Sequence, residues 1–209
     1  MRCVILAGGP VEDYSLISLA GSDMIVCADS GASHAKELGL VPDLIVGDMD
    51  SVDPELLAEF ESLGCRVVRR PREKDEVDTE LAINAALSAG ADEIVIYGAS
   101  GERLDHTLAN LHLLAIPARL GVRAVILDRR HRVSLVTPGL PARVEGRGVT
   151  FSLIPLTSSV GGVMVRGAAW ELDGAEFSIG KPYGVSNRVL AEGAEVSVAG
   201  GMLLLIELL

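Results

Sequence analysis

Through the first 128 residues, short apolar runs alternate with stretches whose apolar residues recur three and four positions apart. The runs at 3–6, 24–28, 44–46, 66–68, 93–97 and 124–127 predict strands, and the periodic stretches at 31–38, 54–63, 78–89 and 105–120 predict helices. Asp53 ahead of Pro54 is a good N-cap followed by a proline suited to a first turn. Gly39, Gly64, Gly90 and Gly121 each follow a helical stretch, where a left-handed residue ends the helix. Pro117 should kink or split the last helix. Runs such as "CVILA", "MIVCA" and "EIVIY" are apolar throughout, as parallel strands covered on both faces require. After about residue 130 helical periodicity disappears and glycines become frequent. Strand-like runs at 132–136, 149–155, 162–166, 175–179, 194–198 and 202–207 are separated by turn pairs such as Pro138-Gly139 and Asp173-Gly174. The expected fold is α/β: a mainly parallel, doubly wound, Rossmann-like sheet over residues 1–128, then a small antiparallel β-sandwich over 132–209. A hinge near 129–132 joins them, with no internal repeat and no low-complexity linker.

Composition narrows the function classes. Hydrophobic residues make up 49% of the 209, too many for a disordered chain. The formal net charge of -11 argues against nucleic acid held across the whole surface, while leaving room for a local anion site. The longest apolar runs, such as 202–206, are too short to span a bilayer, so no membrane is expected. The apolar stretch at the N-terminus is shorter than a signal-peptide core, and a cytoplasmic setting is expected. Cys3, Cys27 and Cys65 fall in predicted strands, form no CxxC pair, and read as small buried hydrophobes.

Ligands of open α/β sheets bind beyond the carboxyl ends of the strands, so the loops that follow the strands carry the candidate chemistry. In order they are Ala7-Gly8-Gly9, Asp29-Ser30-Gly31, Gly47-Asp48-Met49-Asp50-Ser51, Lys74-Asp75-Glu76-Val77-Asp78, and the segment from Gly98 to His106. Four of these carry acids, and all belong to one edge of the sheet. Asp48 and Asp50 are one residue apart, and in an extended loop both side chains would point the same way. Gathered carboxylates repel unless a cation sits among them, and Mg²⁺ takes one or two carboxylates together with substrate phosphates. Taken singly, Asp29, Asp78 or Asp105 would read as a turn residue or helix cap; their shared edge favours a site. The turn at 98–105 enters a helix and carries Arg103, which suits an anion as well as an ordinary glycine turn with a solvated arginine. It matches neither GxxxxGK[ST] nor GxGxxG. His106 stays open between capping, ligand contact and solvation. His34, His112 and His131 are given no role. The basic run 69–72 leads into an acidic loop, so phosphate contact stays open there; the run 129–132 reads as solvated.

Three segments, "ADSGASHAKELGLVPDLIVGDMDSVD", "KDEVDTELAI" and "GASGERLDHTLANL", closely resemble the motifs of the thiamin pyrophosphokinase family, in order and spacing. "VRGAAWELDGAEF" and "GVSNRVL" resemble its thiamin-binding β-domain. The resemblance spans nearly the whole chain. It implies transfer of the pyrophosphoryl group of ATP, as co-substrate with Mg²⁺, to the hydroxyl of thiamin, giving thiamin diphosphate and AMP. It also implies a homodimer in which thiamin lies between the catalytic domain of one subunit and β-domain residues at the interface. Carried over, Asp48 and Asp50 hold Mg²⁺, and Asp78 either binds metal or receives the hydroxyl proton. Lys74 and Arg103 neutralise phosphate. Asp29 and Asp105 position metal, water or nucleotide, with Ser51, Ser100 and His106 in the nucleotide-contacting set. Trp170 stacks on the thiazolium, and Ser186 and Asn187 bond the aminopyrimidine. Without the resemblance, Trp170 would be core filling and 186–187 a plain turn. The chain departs from the family pattern at Val77, where threonine is common, at Ser30, where glycine is common, and at Glu171, where proline is common. Alternatives are a pyrophosphokinase acting on another small alcohol, of pterin type, and a non-catalytic Mg-nucleotide sensor.

Overall fold

A computed structural model of the chain describes residues 1–73 and 75–209. It divides into two compact units, Met1–Pro117 with Ile126–Arg129, and Ala118–Val125 with Arg130–Leu209. Among the described residues no helix is long and apolar enough to cross a membrane.

In the first unit the chain runs β1 (Arg2–Leu6), β2 (Met24–Ala28), α1 (Ala32–Glu37), β3 (Leu44–Gly47), α2 (Pro54–Ser62), β4 (Arg66–Arg69), α3 (Asp78–Ser88), β5 (Glu93–Tyr97) and α4 (Leu104–Leu113). α5 (Ala115–Arg119) and β6 (Arg123–Leu127) follow, their residues divided between the units. The strands of this unit stand in the order β5-β1-β2-β3-β4, and every pairing among them is parallel. Val4, Leu6, Cys27 and Ile45 turn to one face, where Ala32 and Ala35 of α1 and Leu56, Leu57 and Phe60 of α2 pack on them. The residues that alternate with them point to the other face, where α3 contacts β1, β2 and β3. The sheet is therefore doubly wound, as its apolar strands predict. Asp53 caps α2 through a carboxylate oxygen that accepts from the Glu55 N–H, with Pro54 as the first helical residue. The single helix expected over 105–120 is two, broken at Leu114. The Pro117 ring clashes with a helical carbonyl four residues back, at Leu113, which is where α4 ends.

The second unit is a β-sandwich. β7 (His131–Val136), β9 (Thr150–Pro155), β14 (Leu203–Leu208) and the short β12 (Asn187–Arg188) form one antiparallel layer in the order β12-β9-β14-β7. β8 (Ala142–Glu145), β10 (Ser159–Arg166), β11 (Leu172–Ser178) and β13 (Gly193–Ser197) form the other, in the order β11-β10-β13-β8. Phe151, Leu153, Leu203 and Leu205 from the first layer meet Val144, Val163, Val165, Phe177 and Val196 from the second. β8 and β12 escape the hydrophobic pattern because each buries a single residue, Val144 or Asn187, among exposed or half-buried neighbours. Leu203 is fully buried in this core. Leu203→Ala should lower the stability of the unit by about 3 kcal/mol, read as a lower urea midpoint at unchanged slope.

Candidate active site

The order β5-β1-β2 places the reversal of the sheet between β1 and β5, and the loops after these strands bound the crevice that such a reversal opens. The two loops meet backbone against backbone. Gly9 donates its N–H to the Gly98 carbonyl at 2.8 Å, and Ala7 donates to the Tyr97 carbonyl at 2.9 Å. A Cβ on Gly98, which has φ of 67°, would stand 2.5 Å from the Ala7 carbonyl oxygen, and one on Gly9 would stand 2.4 Å from that of Gly98. Glycine is what permits this approach. The crevice is a pocket of about 770 Å³ within the first unit, walled by Gly8, Gly9, Ser30, Ala99, Ser100 and Asn110 among others.

Carboxylates gather at this pocket. Asp29, Asp48 and Asp50 each offer an oxygen within 4.8 Å of the others. The convergence of Asp48 and Asp50 does not come from an extended loop, as alternation predicts. Met49 between them is left-handed, at φ of 63°, and the Asp50 N–H donates to Asp48 Oδ1 at 3.1 Å. The chain thus turns tightly and brings both acids together with Asp29. Asp29 is also left-handed, at φ of 45°, and its Oδ1 accepts the Met49 N–H at 3.0 Å, tying the second loop to the third. Non-glycine residues in this region are strained, and such strain concentrates at functional loops. Gly47 leaves the space where Asp29 and Asp78 approach; a Cβ there would stand 2.9 Å from the Asp29 Cβ and 3.2 Å from Asp78 Oδ1. Asp78 is the first residue of α3 and not its cap; Val77 holds that position and makes no side-chain cap.

Most of the residues singled out in the sequence come together here. Asp29, Asp50, Ser51, Asp78, Ser100, Arg103 and His106 line the pocket. Asp48 joins through the carboxylate group. Arg103 forms a bidentate pair with Asp105, at 3.2 and 2.6 Å, which holds the Asp105 carboxyl down at about 2. Asp105 is therefore a partner to Arg103, outside the pocket walls. Lys74 lies outside the described residues. Trp170, Ser186 and Asn187 belong to the second unit. There Trp170 fills no core: its indole is 64% exposed. The Asn187 amide is buried, and its oxygen accepts from the N–H groups of Trp170 and Arg188 while its nitrogen donates to the Trp170 carbonyl at 2.8 Å. It holds the tryptophan turn by its main chain, which leaves a single N–H for anything else. Ser186 is left-handed, at φ of 61°, and donates its N–H to Ser152 Oγ.

Two positioning groups escape a reading of loops alone. Asn110 donates from α4 to the Ala99 carbonyl at 2.7 Å, and Ser100 Oγ donates to Asp128 Oδ2 at 2.7 Å. Asp128 had a signal: it follows the sixth strand as the other acids follow theirs. Elsewhere Cys3, Cys27 and Cys65 are free and buried, and burial raises all three thiols, Cys3 to about 12, so they are inert at neutral pH.

Burial pushes the Asp29 carboxyl up, and the charges of Asp78 and Asp48 add to it, against hydrogen bonds from Ser30 and Met49 that pull it down. A carboxyl raised in the folded state binds more protons than in the unfolded chain. Stability therefore falls as pH rises from the unfolded value, about 3.9, through the folded one. In metal-free buffer Asp29→Asn should raise the melting temperature at pH 7 and leave it nearly unchanged at pH 3.5, as thermal scans at the two pH values would show.

Comparison with known proteins agrees with this geometry. Residues 17–126 match the family model "Thiamin pyrophosphokinase, catalytic domain", and residues 140–203 match "Thiamin pyrophosphokinase, vitamin B1 binding domain". A thiamine pyrophosphokinase of Bacillus subtilis is 25% identical over 207 residues, covering 97% of this chain and 96% of its own. The crystal structure of a thiamin pyrophosphokinase family protein from Enterococcus faecalis superposes with a TM-score of 0.86 at 30% identity, over 100% of this chain and 99% of that one. The enzyme from Geobacillus thermodenitrificans superposes with a TM-score of 0.86 at 26% identity, over 100% and 98%. With both domain models matched in order on a chain of the same length and fold, this protein belongs to the thiamin pyrophosphokinase family.

Proposed function

We propose that the chain is an ATP-dependent diphosphotransferase that moves the pyrophosphoryl group of ATP to the hydroxyl of thiamin, releasing thiamin diphosphate and AMP. The observation that carries this reading is the convergence of Asp29, Asp48 and Asp50 at a glycine-walled pocket, in a chain of this family. In the transfer the hydroxyl oxygen bonds to the β-phosphorus, and the bond from that phosphorus to the α–β bridging oxygen breaks. AMP leaves with the bridging oxygen. Such transfers need positioning and charge neutralisation more than covalent help.

The residues fit Mg²⁺. Their donors are hard carboxylate oxygens, close enough to share one ion, and few enough to leave positions for phosphate and water. When bound, Mg²⁺ neutralises charge on the phosphates as it develops. Asp48 and Asp50 would hold it, with Asp29 beside them as the buried third donor. Asp78, whose carboxylate lies beside Gly47 with Asp29, would take the proton of the attacking hydroxyl. Arg103 would serve the phosphates by exchanging Asp105 for a phosphate oxygen, and Lys74 would add a second cation. The N–H groups of the glycine loops and Ser51, Ser100 and His106 would hold the nucleotide. In this reading residues 1–128 carry Mg-ATP and residues 132–209 carry thiamin. Trp170 offers its exposed face to the thiazolium, and Asn187 acts by fixing the turn beneath it. The chain would act as a homodimer. The cytoplasm, which keeps thiols reduced, suits the three free cysteines.

The test is product analysis: purified protein with ATP, Mg²⁺ and thiamin should yield thiamin diphosphate and AMP in equal amounts. ADP with thiamin monophosphate would refute the reaction, and tight Mg-ATP binding with no product would point to a sensor. Asp48→Asn and Asp50→Asn should each lower kcat at least about 100-fold with the fold intact by circular dichroism. Trp170→Ala should raise KM for thiamin about tenfold while KM for ATP stays constant, which steady-state kinetics would resolve.

A further inference from the structure

His34 is buttressed on both sides of its ring. Its Nε2 lies 2.9 Å from the Gly9 carbonyl oxygen, and its Nδ1 lies 2.8 Å from the Tyr14 hydroxyl. A carbonyl oxygen can only accept, so Nε2 carries the proton. Nδ1 is then bare in the neutral ring and accepts the phenol proton. Burial and the charge of Glu37 raise the Tyr14 phenol, which keeps that proton in place. Tyr14 itself is fixed in a turn of 3-10 helix capped by Asp13, whose carboxylate accepts the Ser15 N–H. Both heteroatoms of the imidazole are thus satisfied, and their roles cannot be exchanged.

The geometry that lets α1 reach the glycine turn is as tight as the turn itself. A Cβ on Gly31 would stand 2.0 Å from the Leu6 carbonyl oxygen, and one on Gly8 would stand 2.1 Å from Ser30 Oγ. With the start of α1 set directly on the end of β1, a side chain one turn further along reaches back over the turn after β1. Gly9 is then held from both ends: its N–H by the Gly98 carbonyl and its own carbonyl by His34. Gly8, Gly9 and Pro10 form one wall of the pocket, and Pro10 packs on Gly101 of the opposite loop.

We propose that His34, oriented by Tyr14, is a positioning residue for the nucleotide. As a strut it fixes the carbonyl of Gly9, and so fixes the pair of glycine loops against which the triphosphate lies. The proposal rests on the assignment of this pocket to Mg-ATP. A glutamine can place its amide nitrogen where Nε2 stands and so keep the donor to Gly9, whereas alanine cannot. Loss of one such bond from a preorganised wall is worth about fivefold in affinity.

The experiment compares His34→Ala, His34→Gln and Tyr14→Phe with the parent enzyme, by KM for Mg-ATP, KM for thiamin, kcat and melting temperature. The expected result is a rise of about fivefold in KM for Mg-ATP in His34→Ala, with KM for thiamin unchanged. His34→Gln should recover most of the loss, and Tyr14→Phe should fall between them. A lower melting temperature in His34→Ala with both KM values unchanged would overturn the proposal, leaving His34 as packing. A glutamine variant no better than alanine would also overturn it, since the donor would then be irrelevant. If His34→Ala is too unstable to assay, Tyr14→Phe with an unchanged KM for Mg-ATP overturns it as well. A rise in KM for thiamin alone would uphold the strut and refute the assignment of the pocket to the nucleotide.

Discussion

Like charges brought together repel, and everything this site can do depends on how the chain forces Asp29, Asp48 and Asp50 into one small volume. Among the described residues, one cation pairs with Asp50. The guanidinium of Arg72 stands 3.4 Å from Asp50, but it is 81% exposed and screened by water. The backbone supplies the constraint instead. Left-handed turns at Asp29 and Met49 bring the acids together, the Met49 N–H binds Asp29, and Gly47 removes the side chain that would keep Asp29 and Asp78 apart. These local strains persist because the parallel sheet beneath holds the loop ends rigidly in register. In the proposed reaction a divalent cation with its phosphates would offset the repulsion of the bare group.

The rest of the pocket follows from a second constraint, the contact of main chain with main chain at the reversal between β1 and β5. Glycine at positions 9 and 98 permits it, and His34, Asn110 and the Ser100–Asp128 pair brace it. The bracing residues share a property: each bonds a backbone or side-chain group of the loops and leaves the crevice open. The same division of labour occurs in the second unit, where a buried Asn187 grips the turn that displays Trp170.

Much of this was legible in the residues. Apolar strands flanked by amphipathic helices dictate a doubly wound parallel sheet, and such a sheet dictates which loops share an edge. Asp48-x-Asp50 and Asp78 could be placed at that edge without coordinates. Pro117 announced the break between α4 and α5. What stayed hidden depends on conformations that residue type does not fix. Met49 is not a residue that advertises a left-handed turn, so the convergence of its neighbours was assigned to an extended loop. The loop at Arg103 left anion binding and solvation open because sequence cannot show that Asp105, two residues on, pairs with it. His34 was given no role because its partners, Tyr14 and Gly9, are 20 and 25 positions away and meet it only in the fold. Trp170 read as core on composition alone, and only the resemblance pointed outward, where its exposure now places it.

The carboxylate group can be tested most directly by crystals grown with Mn²⁺ and an ATP analogue whose α–β bridge is a methylene, with data collected at the manganese edge. An anomalous peak about 2.1 Å from oxygens of Asp48 and Asp50, with the analogue's phosphates along the glycine loops, is the predicted result. A nucleotide bound elsewhere, or manganese held away from these carboxylates, would contradict it.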